Sequence, residues 1–158
     1  MAPAPERSVM YKHLLVSTDG SKLSLKAIKT ASRLAKELNA RLTAVHVVPP
    51  YMPPFYGDPI GYMPVVIDPK EYKANVTRSA KRILAEAVQV AETLGVTCAQ
   101  VIASDDHPWQ AILKTARNKK CDVIVMASHG RRGLTSMLLG SETSKILTHS
   151  KLPVVVCR

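Results

Sequence analysis

Asp122-Val123-Ile124-Val125-Met126-Ala127-Ser128-His129-Gly130-Arg131-Arg132-Gly133-Leu134-Thr135-Ser136-Met137-Leu138-Leu139-Gly140-Ser141 is the stretch that decides the architecture. A strand predicted over 122–127 is apolar on both faces, so it belongs in a sheet covered on both sides. A glycine-rich loop follows it. A helix is predicted next, from about Ser141 to His149.

The same rhythm extends outward from this stretch. Before it, His13-Leu14-Leu15-Val16-Ser17 reads as a short strand ending in the turn cluster Thr18-Asp19-Gly20-Ser21. Leu25, Ile28, Ala31, Ala35 and Leu38 then recur at helical steps, and Asn39 closes that helix. Leu42 to Val48 is a second strand. A second helix starts near Pro69, with the stripe Ala80, Ile83, Ala87, Val90 and Leu94 and a stop at Gly95. A third strand is predicted over Val96 to Ala103. Ser104-Asp105-Asp106-His107-Pro108 opens a third helix, whose buried face is Trp109, Ile112, Leu113 and Ala116. Leu152 to Cys157 is the last strand.

Strands alternating with amphipathic helices imply an α/β fold, a doubly wound five-stranded parallel sheet with helices on both faces. The most unusual loops follow strands one and four. In such sheets ligands bind beyond the carboxyl ends of the strands, where the strand order reverses. That favours the order 3-2-1-4-5, which makes those two strands neighbours. One domain over residues 1–158 is expected, with a loose tail over 1–10 that has no apolar signal core.

Composition narrows the function classes. At 46% hydrophobic and 22% charged the chain reads as a soluble globular protein, and no apolar run approaches the roughly 18 residues that span a bilayer. Cys98, Cys121 and Cys157 are far apart with no ligand pairing, so free thiols in a cytoplasmic, reducing setting are expected. A formal charge of +10 biases the protein towards anionic partners. Lys26, Lys29, Arg33 and Lys36, and Arg78, Lys81 and Arg82, read as solvated helix faces. With aromatics at 4%, the stacking platform of a nucleic-acid surface is missing. Residues 49–68 break the rhythm with Pro49, Pro50, Pro53, Pro54, Pro59 and Pro64; they form a surface insertion, a lid or a dimer contact.

The candidate chemistry gathers in two places. Gly130, Gly133 and Gly140 let backbone N–H groups approach a ligand closely. Gly140-Ser141 lies where the last helix begins, with Ser141 as its expected cap, and a helix N-terminus favours phosphate. The hydroxyls of Ser128 and Ser141 can add bonds, and Arg131 and Arg132 bring charge. The alternative for this loop is a plain turn. Asp19 reads either as a turn or helix cap, or as a contact to ribose or to a metal on the phosphates. The five histidines show no metal-ligand spacing; His46 reads as a satisfied core residue and His129 as a loop contact to phosphate or water.

Taken together, residues 14–21, 45–48, 122–130 and Gly140-Ser141 followed by Pro153-Val154-Val155-Val156 resemble the universal stress protein family, in order from about Tyr11 to Arg158. Nucleotide-binding members carry glycine, two residues, glycine, nine residues, glycine, then Ser or Thr. Here the pattern is Ala127, Gly130, Gly140, Ser141, with Ala127 in place of the first glycine. If that position needs only close approach, Ala127 is tolerable; if it needs positive φ, the site is strained. The resemblance implies an adenine nucleotide, ATP or AMP, with Mg on the phosphates. It implies a site over Ser17, Thr18, Asp19, Val47, Met126, Ala127, Ser128, His129, Gly130, Arg131, Arg132, Gly140, Ser141 and Glu142. Val47 would meet adenine through its backbone, and Asp19 would sit near the sugar and the metal. It also implies a homodimer through the last strand, consistent with Val154-Val155-Val156 as an apolar edge.

The reading is therefore a nucleotide-binding stress or signalling protein. No arrangement of base, nucleophile and transition-state cation is evident, so an enzyme reading stops at slow ATP hydrolysis. The other alternative is a dimeric interaction module that does not bind nucleotide.

Overall fold

A computed structural model describes residues 10–53, 67–131 and 139–158. Its elements run β1 (His13–Ser17), α1 (Lys22–Leu38), β2 (Arg41–Val48), α2 (Pro69–Thr93), β3 (Cys98–Ser104), α3 (Pro108–Asn118), β4 (Val123–Ala127), α4 (Ser141–His149) and β5 (Val154–Cys157). All strand pairs are parallel and the order is β3-β2-β1-β4-β5, as expected.

Strand alternation sorts the core into two layers. Leu14, Val16, Leu42, Ala44, Val123, Val125 and Ala127 pack against Ala27, Ile28 and Ala31 of α1 and Leu84 and Ala87 of α2. Leu15, Val45, Ile124 and Met126 pack on the other face against Ile112 and Ala116 of α3 and Ile146 of α4. Thus α1 and α2 cover one face while α3 and α4 cover the other. The chain leaves β1 towards one face and β4 towards the opposite face, and their registers Leu14–Val123 to Val16–Val125 make them neighbours. The two departing loops splay, and a crevice opens at their carboxyl ends.

Several boundaries shift for local reasons. β3 begins at Cys98 rather than Val96, because Gly95 takes φ 76° and the Gly95 and Val96 N–H groups turn back to the Glu92 and Ala91 carbonyls, closing α2. β5 begins at Val154 and β4 at Val123, each a residue or two later than expected. On α1 the buried face is Ser24, Ala27, Ile28, Ala31, Ser32 and Ala35; Leu25 and Leu38 are half-buried flanks. The serines are accepted there because Ser32 Oγ donates to the Ile28 carbonyl and Ser24 Oγ to the Ser21 carbonyl. Asn39 closes α1 in the left-handed conformation, as expected. On α3 the buried residues are Ala111, Ile112, Thr115 and Ala116, with Trp109 and Leu113 half-buried.

Cys98 and Cys121 are buried and Cys157 half-buried, all as free thiols. Burial pushes the Cys98 and Cys121 thiols up to about 11, so both stay protonated and inert. The ends of the Pro-rich segment are tied together: Tyr51 Oη donates to the Ile67 carbonyl, Tyr72 Oη donates to the Pro49 carbonyl, and the two rings meet edge to face at 5.4 Å. Residues 54–66 of that segment and 1–9 of the N-terminal tail lie outside the described residues. No helix among the described residues is long and apolar enough to cross a membrane.

Candidate functional site

The β1 exit is held by its own hydrogen bonds. Thr18 N–H donates to the Val45 carbonyl at 3.0 Å, continuing the sheet one residue past β1. Its buried hydroxyl meets Ser24 Oγ at 3.0 Å and accepts from Gly20 N–H. Ser21 caps α1 by accepting from Ser24 N–H. His46 Nδ1 meets the Thr18 carbonyl at 2.7 Å, which places a proton on Nδ1. His46 is half-buried beside the crevice rather than in the core.

Asp19 joins the two halves. Its Oδ1 accepts from Ser21 N–H at 2.9 Å, an ordinary Asx turn. Its Oδ2 accepts from Arg131 N–H at 2.6 Å, across the crevice from the β4 loop. Burial works to raise the Asp19 pKa, but the Ser21 hydroxyl and N–H, the Arg131 N–H and the Ser24 hydroxyl outweigh it, and the net shift is downward. Asp19 is therefore an anion throughout the neutral range. The turn reading of Asp19 holds, and its second carboxylate oxygen faces the β4 loop.

The β4 side is equally specified. Ser128 N–H donates to the Cys157 carbonyl and Gly140 N–H to the Ser128 carbonyl, both at 2.7 Å. Ser128 Oγ lies 3.0 Å from His129 Nδ1. A side chain at Gly140 would place its Cβ 3.2 Å from the Ser128 oxygen and 3.3 Å from His129 Cα; at Gly130 it would lie 3.0 Å from Asp19 Oδ2. Glycine at both places serves close approach, since neither has positive φ. Among non-glycine described residues only Asn39 and Lys120 have positive φ, so Ala127 is unstrained. Its methyl group packs in the α1–α2 layer. The strained alternative for this position does not arise.

The expected cap of α4 needs correcting. Gly140, not Ser141, is the N-cap, and no side chain caps the helix; Ser141 is the exposed first helical residue. A glycine cap leaves the N–H groups of the first turn without an intramolecular side-chain acceptor, which a phosphate can supply. Thr143 was not singled out from sequence, yet it fixes this turn. Its buried hydroxyl reaches the Ala127 carbonyl at 3.0 Å and the Ser128 carbonyl at 3.2 Å. Its only signal was a helical step of three to the buried Ile146.

The other expected site residues fall in different places. Ser17 ends β1, half-buried, and Val47 lies half-buried near the end of β2, paired with Ala103. Met126 is buried among Leu15, Ile112 and Ile146, beneath the site rather than in it. Glu142 turns away: its carboxylate accepts from Trp109 N–H at 2.8 Å and meets Lys145 at 3.4 Å. Arg131 is exposed, and its guanidinium lies over Gly20. Arg132 lies outside the described residues. Among the described residues there is no cluster of three or more His, Cys, Asp or Glu side chains that could hold a metal ion.

A family model described as the universal stress protein family matches residues 10–158. The universal stress protein YxiE of Bacillus subtilis is 35% identical over 151 residues, covering 94% of this chain and 100% of that protein. The solved structure of the universal stress protein UspA from Lactobacillus plantarum superposes with a TM-score of 0.76 at 25% identity, over 94% of this chain and 98% of the other. A universal stress protein solved in complex with cAMP is also 25% identical, with a TM-score of 0.66 over 94% of this chain and 97% of the other.

Proposed function

This chain belongs to the universal stress protein family, and from that premise we propose that it binds an adenine nucleotide, with ATP the expected ligand, and acts as a cytoplasmic stress-response or signalling protein. The carrying observation is the α4 N-terminus, capped only by Gly140 and fixed by Thr143 against the β4 loop, at the point where strand order reverses. A relative with the same fold is solved with cAMP, which supports the adenine ligand.

In this reading the backbone of Gly130, Gly140 and Ser141 holds phosphate, with the Ser128 and Ser141 hydroxyls adding bonds. The backbone near Val47 receives adenine. Asp19 faces the sugar; a carboxylate beside phosphates also favours a nucleotide that brings Mg with it. Such an ion would neutralise phosphate charge. Arg131 adds positive charge at the mouth, and Arg132 follows it in the chain. The Ala127 methyl group is compatible with all of this because it points into the core layer.

Thermal shift with ATP–Mg, AMP and cAMP tests the reading. Nucleotide at 100 times its Kd should stabilise the protein by about 2.7 kcal/mol. Gly140→Asp should abolish that shift while the protein remains folded, because it fills a 3.2 Å gap and sets a carboxylate against phosphate. Absence of any shift, with no nucleotide released from the denatured purified protein, overturns the proposal in favour of a pure interaction module. Product formed at many times the protein concentration would add slow hydrolysis.

A further inference from the structure

The outward flank of α1 carries a line of positive charge that the nucleotide site does not use. Lys22, Lys26, Lys29, Arg33 and Lys36 are all exposed and stand at alternating four- and three-residue steps. That spacing stacks them on one side of the helix, opposite the buried Ala27, Ile28, Ala31 and Ala35. Lys36 Nζ lies near Gly95, just past the C-terminal end of α2, where a cation complements the helix dipole. None of the five has an ion-pair partner among the described residues. Among the described residues the one ion pair is Lys145 with Glu142, on the far face of the sheet.

This line opposes the helix that carries it. Lys22 occupies the first helical position, and the first turn has no acidic residue to suit the positive N-terminus. Lys22–Lys26, Lys26–Lys29 and Lys29–Arg33 are like-charge neighbours, each unfavourable. A surface that breaks local rules without an internal gain is expected to have an external one. Adjacent α2 adds Arg78, Lys81 and Arg82, all exposed, to the same side of the sheet.

We propose that this flank of α1 docks an acidic amphipathic helix of a partner protein, with Asp and Glu at three- and four-residue steps. Such a helix presents charges about 5–6 Å apart, the spacing of the α1 cations themselves. Other anions fit less well. α1 has no aromatic residue for stacking bases, and lysine outnumbers the bidentate arginine that favours phosphate. It also has no large exposed apolar side chain to enter a bilayer.

The test uses the full chain and a labelled, N-acetylated helical peptide of about 20 residues with glutamates at those steps, read by fluorescence anisotropy. Expected is binding that weakens as salt rises. Lys26→Glu/Lys29→Glu should lose at least about tenfold in affinity, the equivalent of ~1.4 kcal/mol. Lys114→Glu/Arg117→Glu on α3, with the same change of net charge, should lose far less. The α1 variant should also melt no lower than the parent, since it turns the 22–26 and 29–33 pairs attractive while the 26–29 pair stays like-charged. Equal losses in both variants, tighter binding of a DNA duplex or of phosphatidylserine vesicles, no peptide binding, or a lower Tm in the α1 variant would each overturn the proposal. A nucleotide thermal shift measured on the same variants is expected to be unchanged, which keeps this result separate from the nucleotide reading.

Discussion

Ala127 pairs with Cys157 in β4 and β5, and its methyl group packs with α1 and α2. One added carbon therefore changes the core layer and not the crevice. At the other end of the same sheet His13 carries a different burden. It is 5% exposed; Nε2 meets Thr43 Oγ1 at 2.8 Å while Nδ1 has no hydrogen bond. Burial, and then the Arg41 cation, lower its pKa, against the opposing Lys119 backbone and Asp122. A histidine lowered on folding binds protons more readily when unfolded. Stability is then unaffected well above about 6.5 and falls as pH drops below it, until the folded value is passed. Melting curves between pH 7.5 and 5 should show Tm falling, and His13→Gln should flatten that fall. The strand around His13 was legible from its apolar run, but the burial of the imidazole was not. Only the pairing of β1 with β2 places Thr43 beside it.

At the scale of elements, α4 is held at both ends by one residue of α3. Glu142 in its first turn accepts from the Trp109 N–H, and His149 in its last turn stacks on the Trp109 ring at 4.6 Å. Glu142 thus caps α3, which has no side-chain cap of its own at His107. The half-exposed contact to Lys145 adds little. Glu142→Ala should cost about 0.5–2 kcal/mol, as loss of a helix cap does, measured by urea denaturation. Trp109 is the chain's one tryptophan, so a change in its emission on nucleotide addition would report movement of α4 directly. Helix periods and glycine stops made these elements readable in the sequence. Their mutual contacts were not readable, because Trp109 and Glu142 lie 33 residues apart and meet only through packing on one sheet face.

Across the whole molecule, the strand order leaves β3 and β5 as edges. All four residues of β5 are half-buried, and Val154 and Val155 pack against the two core layers. Val156 belongs to neither cluster. An apolar edge of this kind invites a second copy, and we propose the homodimer through Val154, Val155 and Val156 on that ground. Light scattering should give a dimer mass for the parent and a monomer mass for Val156→Lys, with helix content retained. A monomeric parent would remove the proposal.

The glycine loop from Ala127 to Ser141 was recognisable by itself, because spacing of small residues between strand and helix is a local property of the chain. So were the parallel sheet and the order suggested by its two unusual loops. Which atoms fill the crevice was decided by tertiary structure. Packing of α4 on α3 turned Glu142 aside, alternation put Met126 in the core, and the β1–β4 pairing brought Asp19 within 2.6 Å of the Arg131 N–H. Local sequence sets backbone conformation and hydrophobic period. The direction of a polar side chain depends on partners as far off as 112 residues, as Arg131 is from Asp19, and folding alone supplies them.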